Sequence, residues 1–224
     1  MIETYDNSET LRFLTERGTY SVIIIGMGGS GKTATAWSLF DTMIDGEIMP
    51  FCYPPDIIEQ FPGHMRQRIH PFDDWGEVVN RPGNILYDDS VLAGGARSSA
   101  TRENRDTQAN MTIARHNDKR IWWTVQNTAL LDKLAWQPIE PIMLHKWMPL
   151  EQLWTERDEM LEGQQQANYA LELVVDETGA DMRSLVYSSK FDEVLQLYLP
   201  VWWNEAISKP YRGYYVRDGQ VIRA

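Results

Sequence analysis

Short runs of apolar residues, separated by polar and turn-forming segments, divide this chain into predicted strands. The clearest runs occupy residues 21–25, 84–87, 121–125 and 141–145. Runs of this length that are bounded by glycine, proline or charged residues are typical of buried strands. A further run at residues 48–53 contains Pro50, which confines it to a sheet edge or to the start of a strand.

Helical segments are predicted between these strands. The first lies near the amino-terminal end, with Asp6 or Ser8 as its cap and Gly18 at its end. Its apolar side consists of Leu11, Phe13 and Leu14. Further helices are expected at about residues 34–44, 56–61, 128–134 and 150–161. This mixture of strands and helices indicates an α/β fold.

The carboxyl-terminal part of the chain has a less regular pattern. Residues 169–175 and 185–188 predict a β-hairpin around the polar turn at residues 176–181. A short helix is expected to begin at Pro200. The aromatic residues that follow are interpreted as core and as cover for the sheet, with contact to a second protein as the alternative.

Composition excludes several classes of protein. The chain has 224 residues, 43% hydrophobic and 24% charged, which suits one globular domain with a substantial core. Its net charge of −11 argues against a surface coated for nucleic acid, although a local basic path is compatible with it. The single cysteine, Cys52, excludes an internal disulfide framework and fits a reducing compartment. No apolar run approaches membrane-spanning length, and we expect a cytoplasmic protein.

The most informative segment is a glycine-rich loop after the first buried run. It consists of Gly26, Met27, Gly28, Gly29, Ser30, Gly31, Lys32 and Thr33, with Ala34 next. This segment fills the phosphate-loop pattern G-x-x-x-x-G-K-[ST]. Glycines let the backbone wrap a polyphosphate, and the loop N–H groups and the helix start supply positive potential. Lys32 adds a charge at the β- and γ-phosphates, and the Thr33 hydroxyl is a ligand for Mg²⁺.

A chance match of a glycine-rich turn is the alternative interpretation of this loop. The strand before it and the helix after it supply the context that the motif requires, so the sequence predicts nucleotide binding. ATP is the expected nucleotide, while GTP stays open, since no guanine-reading Asn-Lys-x-Asp segment is present. The four histidines show no metal-ligand spacing, so no zinc site is expected.

Two adjacent carboxylates end the run at residues 84–87. Asp88 is predicted to hold Mg²⁺, directly or through water, and Asp89 to orient or deprotonate the attacking water. Adjacent residues of a strand point to opposite sides, so both can take part only if the strand bends at its end. The alternative is an ordinary turn at the end of a strand.

A polar amide ends the run at residues 121–125. Gln126 is expected beside the carboxylates, where it could sense the γ-phosphate by a hydrogen bond to it or to the attacking water. The alternative is a simple turn in which Asn127 or Thr128 caps the following helix. Both interpretations can hold together.

Residues 97–120 are locally basic, with six lysines or arginines against three acidic residues. One interpretation is a loop that contacts nucleic acid phosphates, and another is an arginine presented to the γ-phosphate of a neighbouring subunit. Arg97 and Arg115 are the candidates for this arginine, and the sequence does not choose between them. A solvated helix face with ordinary ion pairs is the alternative.

The order of these motifs resembles the FtsK–HerA group of P-loop ATPases. The resemblance covers about residues 19–146, and its more specific part is the spacing from Ala114-Arg115-His116 to Gln126. Within that group, the compact spacing is most similar to the genome-packaging ATPases of double-jelly-roll viruses, including archaeal ones. The usual glutamate at the second carboxylate position is an aspartate here, Asp89, which weakens its assignment as the base.

This resemblance implies a RecA-like (ASCE) P-loop fold with a mainly parallel central sheet flanked by helices. It predicts one ATPase domain, with an amino-terminal helix at residues 1–18, a nucleotide-binding core at 19–146 and a hairpin and helix extension at 147–224. It also implies Mg²⁺-dependent ATP hydrolysis at inter-subunit sites of a pentameric or hexameric ring that moves double-stranded DNA. A capsid vertex protein is a further expected partner, and the expected place is the host cytoplasm or the virion.

Three other functions remain compatible with the sequence. A nucleotide or small-molecule kinase would close the arginines of residues 97–120 over two substrates. A AAA-type remodelling or loader ATPase would act on protein. A nucleotide-dependent switch module would bind the nucleotide without catalysis.

Overall fold

The computed structural model describes residues 2–3, 8–16, 18–88, 114–130, 141–217 and 220–223. In these ranges the strands are β1 Ile2–Glu3, β2 Tyr20–Ile25, β3 Ile48–Pro50, β4 Gly83–Tyr87, β5 Lys119–Val125, β6 Pro141–His145, β7 Leu185–Ser188, β8 Glu193–Gln196, β9 Tyr214–Arg217 and β10 Gln220–Arg223. The helices are α1 Glu9–Glu16, α2 Lys32–Thr42, α3 Pro55–Ile58, α4 Gly63–Arg66, α5 Trp75–Val78, α6 Leu150–Leu153, α7 Asp158–Thr178 and α8 Glu205–Ser208.

One sheet of eight strands organises the described residues. Its strand order is β1-β8-β7-β6-β2-β5-β4-β3, and β9 pairs with β10 in a separate two-stranded sheet. Only β7 is antiparallel to its neighbours in the large sheet. The phosphate-loop strand β2 and the carboxylate strand β4 are separated by β5. The predicted α/β fold with a mainly parallel sheet flanked by helices is confirmed.

Both faces of the sheet are buried. On one face, Val22 and Ile24 belong to a core cluster that also contains residues of α1 and α2. On the other face, Ile23 and Ile25 belong to a second cluster that includes residues of α5 and α6. Successive side chains of a strand point to opposite faces, so a strand buried on both sides must be apolar at every position. This requirement explains the uninterrupted apolar runs in the sequence.

Aromatic residues fill much of this core. Trp37 of α2 lies 4.5 Å from Phe61, measured between ring centroids, and Phe40 lies 4.9 Å from Trp122 of β5. On the opposite face Trp123 stacks on Tyr87 at 4.3 Å. These offset and edge-to-face pairs bury large apolar areas. Trp37, Trp122 and Trp123 therefore serve packing of the sheet.

Several predictions about individual helices and strands are confirmed. The Ser8 hydroxyl accepts a hydrogen bond from the Leu11 N–H at 3.1 Å, so Ser8 caps α1. Pro50 lies in β3, one of the two edge strands of the described sheet, where a proline is tolerated although it lacks an N–H. The predicted strand at residues 141–145 is β6. Of the helix predicted at 128–134, residues 128–130 form a 3₁₀ turn and the rest lie outside the described residues.

The predicted hairpin at residues 169–175 and 185–188 is wrong. Residues 169–175 lie within α7, and β7 pairs instead with β8, which the sequence pattern missed. The buried residues of α7 are Gln164, Ala167, Leu171 and Val174. Their spacings of three and four residues are those of one helix face. Leu171 and Val174 pack against β7 and β8, so helix burial decides the conformation.

Two predicted helix limits are also wrong. The helix expected at residues 150–161 is interrupted after Leu153, and α7 starts only at Asp158. The helix expected to begin at Pro200 starts at Glu205, because the Asn204 side chain accepts a hydrogen bond from the Ile207 N–H at 3.1 Å. No helix in the described part of the chain is both long enough and apolar enough to span a membrane.

Candidate nucleotide-binding site

The phosphate loop starts between two neighbouring strands. The Gly26 N–H donates to the Val125 carbonyl of β5 at 3.2 Å, and the Lys146 N–H donates to the Ile25 carbonyl at 2.8 Å. The loop then turns into α2, whose first residue is Lys32. Gly31 precedes it with φ 89°, a left-handed conformation that favours glycine. The helix start thus lies at the carboxyl edge of the parallel strands, where such folds bind ligands.

Gly26 is required by the space around it. A Cβ atom at this position would lie 2.6 Å from Ser30 Oγ and 2.7 Å from Lys146 Cβ. Gly28, by contrast, would accept a Cβ with no atom within 4 Å. The first glycine of the motif therefore serves close packing of the loop against β6 and the residue after it.

Lys32 is turned inward across the loop. Its side chain is buried, and Nζ donates hydrogen bonds to the carbonyl oxygens of Gly26 at 2.9 Å and Met27 at 3.0 Å. A polyphosphate wrapped by the loop would meet the ammonium group at the loop centre. Phosphate binding by Lys32 stays a prediction of the motif.

The carboxylate of Asp88 joins the phosphate loop to the end of β4. Asp88 Oδ1 accepts one hydrogen bond from the Thr33 hydroxyl and one from the Thr124 hydroxyl of β5, both at 2.8 Å. Asp88 is only 4% exposed, so its charge is held in a poorly hydrated place. A buried tyrosine, Tyr53, lies close by, and its pKa is raised well above the usual value by burial and by the charge of Asp88.

These oxygens suit a magnesium ion. Mg²⁺ prefers hard oxygen ligands and is commonly held by one or two protein groups together with substrate phosphates and water. The Thr33 hydroxyl and the Asp88 carboxylate supply this donor set at the start of α2. The described residues contain no group of three or more histidine, cysteine or acidic side chains that could hold a metal alone. The chemistry of the site therefore fits a metal bound jointly with a nucleotide.

The remaining predicted site residues are distributed unevenly. Gln126 follows β5 at the same sheet edge, next to Gly26 in register, and is half-buried. Arg115 begins a 3₁₀ turn before β5, which places the residue at the opposite edge of the sheet from its own phosphate loop. Asp89 and Arg97 lie outside the described residues.

Two cavities flank the phosphate loop and α2. The Ser38 cavity, of about 170 Å³, is lined on one side by Gly31, Ala34, Thr35 and Ser38 and on the other by Arg183, Tyr198 and Leu199, among others. The Thr33 cavity, of about 390 Å³, is lined by Thr33, Asp88 and the segment from Ser208 to Arg212. In each cavity, the wall opposite the phosphate loop and α2 is formed by the carboxyl-terminal part of the chain. The sequence pattern predicted no site residue there.

Lys146 is a further site residue that the sequence interpretation missed. It follows β6 directly, is 1% exposed, and its Nζ donates to the Arg183 carbonyl at 2.5 Å. Burial lowers the pKa of Lys146 to about 7, while Asp181 acts in the opposite direction. A Cβ on Gly31 would lie 3.2 Å from the same Arg183 carbonyl, so Lys146 and Arg183 brace the loop. The signal in the sequence that could have identified Lys146 is its position directly after a predicted strand, as for Gln126.

Comparison with known proteins supports the fold. The sequence matches no protein-family model and no curated protein. The structure is similar to the genome packaging NTPase B204 from Sulfolobus turreted icosahedral virus 2 in complex with AMPPCP. That alignment has a TM-score of 0.50 and 8% identity, and covers 83% of this chain and 100% of the other. The same NTPase in complex with ATP-gammaS gives a TM-score of 0.48 and 10% identity over 82% of this chain and 99% of the other.

At such low identity the similarity concerns the fold. The structural similarity agrees with the resemblance to genome-packaging ATPases that the sequence motifs indicate. The described part of this chain has the fold of a P-loop NTPase, and a genome packaging NTPase of an archaeal virus shares this fold.

Proposed function

We propose that this chain is the ATPase subunit of a viral genome-packaging motor, which hydrolyses ATP and translocates double-stranded DNA. The observation that carries the proposal is the hydrogen bond between Thr33 and Asp88. It joins the phosphate loop to the end of the carboxylate strand, which supports a metal-assisted nucleotide site over a chance glycine-rich turn. The fold shared with a genome packaging NTPase supports the choice of process.

Each residue at the sheet edge has a role in this proposal. Backbone N–H groups of the loop and Lys32 bind the phosphates, and Thr33 and Asp88 hold Mg²⁺. Mg²⁺ bound there would supply positive charge that offsets the negative charge of the phosphates. Asp89 positions the attacking water, and Gln126 forms a hydrogen bond with the γ-phosphate or that water. An arginine of a neighbouring subunit, Arg97 or Arg115, completes the site in a pentameric or hexameric ring.

The nucleoside occupies the Ser38 cavity. This cavity adjoins Gly31 and the first turns of α2, on the side of the helix that faces away from the Thr33 cavity. The exposed ring of Tyr198 stands at its rim and offers a face for a base. The Ser38 hydroxyl donates to the Tyr198 carbonyl at 2.9 Å, which fixes this segment against α2.

The Arg115 position supports an inter-subunit site. Strand β5 has seven residues, a length of about 23 Å, between Arg115 and the phosphate-loop edge. An arginine side chain does not span that distance within its own subunit, so Arg115 reaches a γ-phosphate only across a subunit boundary.

A motor of this kind works in the host cytoplasm and docks at a capsid vertex protein.

The test is the ATPase rate with and without double-stranded DNA, together with the mass of the particle in solution. The proposal expects DNA-stimulated hydrolysis by a concentration-dependent oligomer. Phosphoryl transfer to a small acceptor by a stable monomer would identify a kinase instead. Stimulation by protein and not by DNA would identify a remodelling ATPase, and nucleotide binding without turnover would identify a switch module.

A further inference from the structure

The Thr33 cavity places two cationic residues of the same chain opposite the predicted metal ligands. One wall consists of Thr33 and Asp88, and the other of the segment at residues 208–212, which carries Lys209 and Arg212. The cavity is open to solvent and large enough, at about 390 Å³, to admit phosphate groups and water. The sequence pattern did not single out either cation.

The segment that carries these cations is firmly seated. Pro210 is buried, and Ile207 of α8 is fully buried in the first core cluster. The Tyr211 ring packs edge-to-face on Tyr53, with 6.0 Å between the ring centroids. Beyond the turn, the Tyr214 hydroxyl donates to Asp56 Oδ1 at 2.7 Å. The backbone of this segment is thus fixed on both sides while the two long side chains remain exposed.

Both cations share one acidic partner in this structure. Lys209 Nζ and Arg212 Nη1 each lie 3.0 Å from Glu205 Oε1. All three side chains are more than half exposed, at 60%, 73% and 66%. Exposed ion pairs of this kind are weak, because water and salt screen them. Breaking the ion pairs with Glu205 to contact a more highly charged group therefore costs little free energy.

A nucleoside triphosphate at the phosphate loop provides such a partner. Mg²⁺ held by Thr33 and Asp88 would favour phosphate groups of the nucleotide beside these residues, which line the Thr33 cavity. Glu205 offsets one of the two positive charges, which leaves the wall net positive. Charge-assisted hydrogen bonds from a guanidinium to phosphate are among the stronger polar contacts in proteins.

We propose that Arg212, with Lys209 beside it, leaves Glu205 and contacts the terminal phosphate of the nucleotide bound to its own subunit. This inference rests on the proposed ATPase function and adds a cis cation to it. Glu205 holds both cations when no terminal phosphate is present.

The first test compares the affinity for an ATP analogue with that for ADP. Arg212→Ala is expected to lower the preference for the triphosphate by about tenfold to a hundredfold, as for loss of a charged hydrogen bond. It should leave ADP binding unchanged, and Arg212→Lys should restore part of the preference. Arg12→Ala removes an arginine that is similarly exposed and paired with Glu9, and serves as the matched control.

A variant of the acidic partner separates phosphate contact from mere structure. Glu205→Gln removes the shared ion pair but keeps both cations. If Arg212 only stabilised the segment through Glu205, Glu205→Gln would mimic Arg212→Ala. The proposal expects the opposite result, an unchanged or increased preference for the triphosphate, with far-ultraviolet circular dichroism as the check on folding.

Mixing of subunits distinguishes action within a subunit from action across subunits. Lys32→Ala and Arg212→Ala protomers are mixed and the ATPase rate is measured. If Arg212 acts within its own subunit, no mixed site contains both residues and the rate stays at the sum of the two parents. Recovery of activity would overturn the inference.

The failure of this inference can be told apart from the failure of the proposed function. If the unaltered protein neither binds nor hydrolyses ATP, the proposed function fails. If the unaltered protein does both and the Arg212→Ala variant behaves in the same way, only this inference fails.

Discussion

Thr33 and Asp88, which are 55 positions apart in the chain, are joined by a 2.8 Å hydrogen bond from hydroxyl to carboxylate. Thr124 donates a second hydrogen bond to the same oxygen. Helix α2 and two neighbouring strands thereby contribute to one polar cluster, since Thr33 lies in α2, Asp88 directly follows β4 and Thr124 belongs to β5. The cluster makes the metal-binding hypothesis directly testable.

Asp88→Asn removes the charge of this cluster and keeps an oxygen that can accept from both hydroxyls. We expect the fold to persist and Mg²⁺-dependent ATP turnover to fall by about two orders of magnitude or more, because a neutral amide is a poor ligand for Mg²⁺. Steady-state hydrolysis over a range of Mg²⁺ concentrations measures the effect. Asp118→Asn, an exposed aspartate at φ 48°, is the control. A variant as active as the unaltered protein would exclude Asp88 as the metal ligand.

Asp89→Asn tests the second carboxylate. If Asp89 handles the attacking water, turnover should be lost while the affinity for ATP is retained, because the water is not part of the binding contacts. Equilibrium binding of a fluorescent ATP analogue and the hydrolysis rate are measured on the same preparation. Unchanged turnover would remove Asp89 from the mechanism.

Gly26→Ala tests the packing of the phosphate loop. The added methyl group would lie 2.6 Å from Ser30 Oγ and 2.7 Å from Lys146 Cβ, so the free energy of unfolding should fall by about 1–3 kcal/mol. Gly28→Ala is a matched control in the same loop, since no atom lies within 4 Å of its added methyl. Chemical denaturation of both variants measures the difference, and equal effects would contradict the steric argument.

Lys146→Met tests the buried amine beside the loop. In the folded protein the pKa of Lys146 is lowered from 10.5 to about 7, so between these values the unfolded chain binds the proton that the folded chain releases. Stability should then rise with pH above about 7, with a slope approaching 1.4 kcal/mol per pH unit. Lys146→Met should reduce this slope, whereas exposed Lys209→Met should not. Denaturation curves at pH 7 and pH 9 measure it, and parallel slopes in all three proteins would contradict the assignment.

Tyr198→Ala tests the nucleoside position. Loss of base stacking should weaken ATP binding by about 1–2 kcal/mol, which is roughly tenfold. Binding of inorganic tripolyphosphate should stay the same, because it has no base. Tyr169→Ala removes another strongly exposed tyrosine, in α7, and is the control. An equal loss for ATP and tripolyphosphate would place the base elsewhere.

The central strands and the phosphate loop could be predicted because their signals are local. A strand buried on both faces is apolar throughout, as β2 and β6 show, and the phosphate loop is a contiguous motif. Positions at strand ends followed from the same reasoning, which located Asp88 and Gln126 at one sheet edge. Asp89 and Arg97 lie outside the described residues. The catalytic and binding roles assigned to all of the site residues stay predictions.

The walls of the two cavities could not be predicted, because they depend on packing between distant segments. Arg212 and Thr33 line one cavity although 179 positions separate their numbers in the sequence. The α7 helix was missed for a related reason. Residues 169–175 contain enough apolar residues for a strand, and only contact of Leu171 and Val174 with β7 and β8 decides for a helix.

The origin of these walls has a consequence for the order of folding. The core strands β2, β4, β5 and β6 can pair before the segments at residues 181–184, 197–199 and 208–212 dock, and those dockings close long loops. High nucleotide affinity should accordingly arise last, and bound nucleotide should stabilise these late segments most. Amide hydrogen exchange would show this as protection that begins at the carboxyl-terminal walls and scarcely changes in the central strands. In such a protein, ligand binding reports that the chain has finished folding.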